Sequence, residues 1–122
     1  MIRFELLRNR RILLITPDGP LQRADFEQLA KEIDPFIAAN GKLVGVMIHA
    51  KSFPGWESFG ALVSHFKFVA DHHRQIERIA AVIDIGFLKI VPRISSHFVQ
   101  AQIKHFELKE KDRALAWLET GQ

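Results

Sequence analysis

Cysteine is absent from the chain, so disulfides, thiolate metal sites and cysteine nucleophiles are excluded. Tyrosine is absent too, beside ten Phe and two Trp, which makes the aromatic complement apolar. The stacking pairs of RNA-recognition modules are not evident in it. No apolar run approaches the ~20 residues of a bilayer span. The first residues, Met1-Ile-Arg-Phe-Glu5, carry charges of both signs and no apolar h-region is present, which argues against a secretory leader. A soluble cytoplasmic protein is the expectation. Charge of one sign dominates only weakly, at a net +3, too little to imply nucleic acid as a partner.

Catalytic signatures are missing as well. There is no Gly-x-Gly-x-x-Gly and no Walker motif, so a nucleotide cofactor has no support. Ser52, Ser58, Ser64, Ser95 and Ser96 are the available hydroxyl nucleophiles, and none lies in Gly-x-Ser-x-Gly. Asp84 ends an apolar run where parallel sheets often place sites, but it has no evident carboxylate partner and suits a cap or turn. Six histidines raise the question of a metal. His65 and His72 share a helix face, yet no His-Glu-x-x-His pattern occurs and no acidic residue stands at ligand spacing. A solvated histidine cluster without metal is the expectation, with no cofactor and no enzymatic activity.

What is present is a patterned α/β chain. Its 122 residues are 48% hydrophobic, enough for one cored domain over residues 1–122. Ile2 to Leu7 and Arg11 to Ile15 are two short strands, with Asn9-Arg10 suited to a tight turn. Pro17-Asp-Gly-Pro20 closes the second strand. A helix follows from about Gln22 to Ala39, with Phe26, Leu29, Ile33, Phe36 and Ile37 at helical spacing and a bend expected at Pro35. Leu43 to Ile48 is apolar throughout and belongs in the sheet centre. The spacing predicts a second helix from Trp56 to about His72, with Trp56, Phe59, Leu62, Val63, Phe66 and Val69 as its core stripe and Phe68 nearly opposite. Arg78 to Asp84 is a strand, Phe87 to Gln100 a third helix, Ala101 to Phe106 a strand, and Lys109 to Leu118 a fourth helix. The order ββαβαβαβα predicts an α/β fold: a five-stranded mixed sheet with an antiparallel opening hairpin, the rest parallel, and four helices.

The third helix carries the main functional hint. Phe87, Leu88, Ile90, Val91, Ile94 and Phe98 form one broad face, and Lys89, Arg93 and His97 form a stripe on the other side. Pro92 removes one intrahelical hydrogen bond from its middle, which makes it the least rigid of the four. It is either a cover helix with a solvated basic face or an interfacial helix over an apolar ligand or a membrane surface. In the second case Phe59, Phe66, Ile90, Ile94 and Phe98 line the ligand site, while Lys89, Arg93 and His97 meet an anionic head. A homodimer or partner-protein interface explains the same apolar surface.

The run Ile103-Lys-His-Phe-Glu-Leu-Lys-Glu-Lys-Asp-Arg-Ala-Leu-Ala-Trp-Leu-Glu119, with Glu77-Arg-Ile-Ala-Ala-Val-Ile-Asp84 and the opening hairpin, resembles the SpoIIAA-like proteins. The resemblance covers essentially the whole chain and implies a fold of the STAS class, similar also to CRAL-TRIO lipid-transfer domains. Anti-sigma antagonists of that class carry a phosphorylated Ser within Asp-Ser-Gly. Here the matching region is Lys51-Ser-Phe-Pro-Gly-Trp-Glu-Ser58, so the motif is absent and Ser58 is only the nearest positional candidate. The CRAL-TRIO likeness implies a lipid-like ligand and membrane contact.

Overall fold

Alternation of apolar and charged residues opens the chain as a hairpin, β1 (Ile2–Leu7) against β2 (Ile12–Pro17), paired antiparallel from Ile2 opposite Pro17 to Leu7 opposite Ile12. A computed structural model describes residues 1–51, 55–84 and 101–122. The hairpin turn is wider than the Asn9-Arg10 step suggests, because four residues, Arg8 to Arg11, separate the strands. Positive φ falls on Arg11, at 56°, and not on Asn9. That conformation costs an L-residue about 1–2 kcal/mol. It is offset by a double tether: the Arg11 carbonyl accepts the Val44 N–H at 2.8 Å, and its Nη1 donates to the Asn40 carbonyl at 2.9 Å.

The first helix, α1 (Arg23–Asn40), buries Phe26, Leu29, Ile33 and Phe36 as their spacing requires. Asp25 organises its start. The carboxylate accepts the N–H of Gln22 at 2.7 Å and of Ile2 at 3.2 Å, and pairs with the Met1 ammonium at 3.2 Å. Pro35 is accommodated inside the helix without ending it. Gly41, at φ 87°, turns the chain out and donates its N–H to the Ile37 carbonyl at 2.8 Å.

The sheet runs β1-β2-β3-β4-β5 in chain order, where β3 is Leu43–Ala50, β4 is Ile76–Ile83 and β5 is Gln102–Phe106. Every pair beyond the hairpin is parallel, so β3 holds the expected central place. The described residues contain three α-helices rather than four: α1, α2 (Phe59–His72) and α3 (Lys111–Thr120), with single 3-10 turns at His73–Gln75 and Leu108–Glu110. The helix expected over Phe87 to Gln100 lies outside the described residues. Lys89, Ile90, Arg93, Ile94, His97 and Phe98 lie outside them with it.

Helices cover both faces of the sheet. Leu13, Leu43 and Val46 pack with α1 and with the partly buried Phe68 of α2, whereas Ile12, Met47, Val82 and Phe106 pack against Trp117 and Leu118 of α3. Neighbours along β2 and β3 thus send side chains to opposite cores, which is why the Leu43 to Ile48 run is apolar throughout. Gly45 sets the approach of α3. A Cβ there would lie 2.8 Å from Leu118 Cδ2 and 2.9 Å from Leu118 Cβ.

Candidate functional site

The second helix is the element whose placement departs furthest from its pattern. It begins at Phe59, with the Ser58 hydroxyl accepting the Ala61 N–H at 3.1 Å. Trp56 lies before the helix, held by a parallel bridge to Leu21 in which Leu21 donates to Gly55 O and Glu57 to Leu21 O, each at 2.8 Å. The inward residues are Ala61, His65, Phe68 and His72, spaced four, three and four apart. The predicted core stripe is rotated from this by roughly a third of a turn. Phe59, Val63 and Phe66 are 78%, 49% and 44% exposed, and Phe68, expected on the far side, packs into the core between Phe26 and His72.

Two histidines cause the rotation. His72 is only 6% exposed. Its Nδ1 lies 2.7 Å from the Phe68 carbonyl and its Nε2 lies 2.7 Å from Asp34 Oδ1, so the ring joins α2 to α1. It stacks on Phe68 at 4.1 Å. His65 stacks on Phe26 at 4.9 Å and accepts the Trp56 indole N–H on Nδ1 at 3.1 Å. Tryptophan can only donate, so His65 Nδ1 is unprotonated and the neutral ring carries its proton on Nε2. Burial pushes the same imidazole below its ordinary value. The expected solvated histidine cluster is therefore a pair of core histidines with separate partners. Among the described residues, no group of three or more His, Asp or Glu could hold a metal.

With its polar rings turned inward, α2 presents a row of apolar residues outward. Phe59, Val63 and Phe66 follow at steps of four and three along one side, and exposed Ala70 continues the row. Lys67 stands exposed beside it. Both described members of the expected ligand set, Phe59 and Phe66, thus lie on one exposed side of α2. Val63 belongs with them, although its position within the supposed core stripe hid it. Ser58 is exposed and caps the same helix. Asp84 follows β4 and is exposed. No helix of the described residues is long and apolar enough to cross a membrane. Among the described residues, the surface offers apolar contact area with the Lys67 ammonium group beside it.

This arrangement, a mixed five-stranded sheet with α1 and α2 on one face and the C-terminal helix on the other, defines an α/β module of the STAS kind. The SpoIIAA-like family model matches residues 12–119, and the chain belongs to that family. Among solved structures it is similar to an uncharacterized protein of the DUF3478 family with a SpoIIAA-like fold from Shewanella loihica PV-4. The TM-score is 0.76 at 23% identity, over 96% of this chain and 93% of that one. At that identity the likeness shows the fold alone. No curated protein matches the sequence.

Proposed function

We propose that the protein is a non-enzymatic STAS-like binding module whose α2 outer face takes up an apolar, lipid-like ligand or rests on a membrane surface. The observation that carries this reading is the outward row Phe59, Val63 and Phe66 on a helix whose other side is fixed to the core by His65 and His72. A helix held this firmly loses little conformational freedom on binding, which favours the net gain from burial. Withdrawing a phenylalanine fully from water contributes about 1.5–3 kcal/mol, and most of the Phe59 side chain is still available for that gain. Lys67 beside the row, and Lys89, Arg93 and His97 in the chain that follows β4, supply the cations that would meet an anionic head. The likeness to lipid-transfer domains read from the sequence agrees with this choice of ligand.

Co-sedimentation with vesicles of phosphatidylcholine and phosphatidylglycerol tests the reading. Binding is expected to rise with the anionic fraction, to fall with salt, and to drop at least fivefold in Phe59→Ser/Val63→Ser. Native mass spectrometry of the same samples separates the alternatives. A tight dimer that dissociates in the double variant, with no vesicle binding by either protein, would replace the lipid reading with a protein interface.

A further inference from the structure

We infer that the cleft at the N-terminal ends of β3, β4 and β5 binds a phosphate-class anion, a site separate from the outer face of α2. The cleft has a volume of about 330 Å³ and is lined by Lys42, His73, Arg74, Glu77, Arg78 and Gln102 among others. Chain topology assembles it. Lys42 immediately precedes β3, Arg74 lies in the 3-10 turn that leads into β4, and Arg78 on β4 stands opposite Gln102 on β5. Lys42, Arg74 and Arg78 against Glu77 give the cleft lining a net charge of +2.

Several lysines elsewhere, Lys31, Lys51, Lys67, Lys104 and Lys111, also lack a carboxylate partner among the described residues, so what marks the cleft is that three such cations share one opening, whereas most arginines outside it are paired. Arg3, Arg8, Arg10 and Arg113 each meet a carboxylate, on Asp18, Glu32, Glu119 and Glu110, at 2.6 to 3.1 Å. Among the described residues none of the three cleft cations has a carboxylate oxygen within 4.0 Å, although Glu77 shares the cleft. One of the three has a structural task. Arg78 Nη1 donates to the Leu118 carbonyl at 3.1 Å, where α3 ends and cations favour the helix dipole. Its guanidinium lies so close to Gly121 that a Cβ there would stand 2.7 Å from Nη2. Among the described residues neither Lys42 nor Arg74 donates to a helix carbonyl, so capping of a described helix does not account for them.

A bound anion of several oxygens would account for all of these groups. Arg74 offers a planar fork, Lys42 a point charge, and Gln102 an amide donor, with the fixed Arg78 as a neighbouring charge. The cleft is open to water, so affinity should be modest and strongly dependent on salt. It lies past the C-terminal end of α2, whereas Phe59 begins that helix, about 20 Å away along its axis. Occupancy therefore does not depend on the outer apolar face.

Amide-shift NMR with inorganic pyrophosphate at low ionic strength tests this site. Saturable shifts are expected around Lys42, from His73 to Arg78, and at Gln102. The apparent Kd should weaken at least tenfold in Lys42→Ala/Arg74→Ala and stay unchanged in Lys31→Ala, an exposed lysine on α1. Phosphatidylcholine vesicles containing phosphatidic acid form the second arm. Pyrophosphate binding that survives Phe59→Ser identifies a free phosphate compound as the ligand class. Vesicle binding that needs Arg74, with no response to pyrophosphate, identifies a lipid headgroup. Shifts that fail to saturate, or binding that Lys42→Ala/Arg74→Ala leaves intact in both arms, overturns the site.

Discussion

Two phenylalanines on one helix give the sharpest internal comparison, because the sequence pattern and the fold assign them opposite fates. Phe59 is 78% exposed, so folding withdraws only about a fifth of its side chain from water. At about 1.5–3 kcal/mol for full burial, its share of stability is about 0.3–0.7 kcal/mol. Alanine recovers several tenths of that through better helix propensity, so Phe59→Ala should be nearly neutral. Phe68 is partly buried, with ring centroids 6.0 Å from Phe26 and 4.1 Å from His72. Its truncation opens a void between α1 and α2 and should cost about 2–3 kcal/mol. Urea unfolding followed by circular dichroism reads the difference directly. With a slope of about 1–3 kcal/mol/M for a small domain, Phe68→Ala should lower the midpoint by roughly 1–2 M, and Phe59→Ala by less than about 0.5 M. Equal losses, or a larger loss for Phe59→Ala, would refute the placement of the helix and remove the outer face with it.

The contact between Gly45 and α3 predicts a compensating pair. Gly45→Ala alone should cost about 1–3 kcal/mol by overpacking against Leu118, and less in a Leu118→Ala background, which removes the Cγ and Cδ2 contacts but keeps the Cβ contact at 2.9 Å; additive losses in a denaturation cycle would contradict that contact. Stability should also decline on mild acidification. Burial holds His65 below its ordinary value of 6.5, so near that pH and below it the unfolded chain binds more protons than the folded one, and the unfolding free energy rises with pH. His49, lowered by burial and by the nearby Lys111, acts in the same direction. His65→Gln, which keeps an acceptor for Trp56, should flatten the dependence between about pH 7 and 5 without abolishing it. An unchanged slope would place the titration elsewhere.

Most of the architecture was legible from local signals that agree with one another. The all-apolar Leu43 to Ile48 run can only be a strand covered on both faces, and it is. The alternation of strands and helices after a hairpin pointed to the parallel pairing that the sheet shows, while the spatial order of the strands came only with the structure. The phase of α2 was not legible, for a physical reason. Apolarity alone puts Phe59, Val63 and Phe66 inside and treats histidine as surface. Here two histidines turn inward because the folded chain supplies partners for them, Trp56 for His65 and, far away in sequence, Asp34 for His72. No periodicity reports a partner 38 residues away. The turn at Arg11 was missed for a similar reason, since its positive φ is supported by contacts with Asn40 and Val44 that form only in the folded chain. The side of α2 that Phe59 and Phe66 share was hidden by the sequence pattern, which placed both in the core stripe.

Fluorescence from Trp56 tests the binding face most directly. This residue precedes α2 at the end where Phe59 is exposed, whereas Trp117 is buried against Phe106. In a Trp117→Phe variant all indole emission comes from Trp56. Vesicles with brominated acyl chains and an anionic component should quench it beyond unbrominated controls, and Phe59→Ser should largely remove the quenching. Emission unaffected by bromine, or quenched equally after Phe59→Ser, would show that the exposed row on α2 is not where this protein meets an apolar phase.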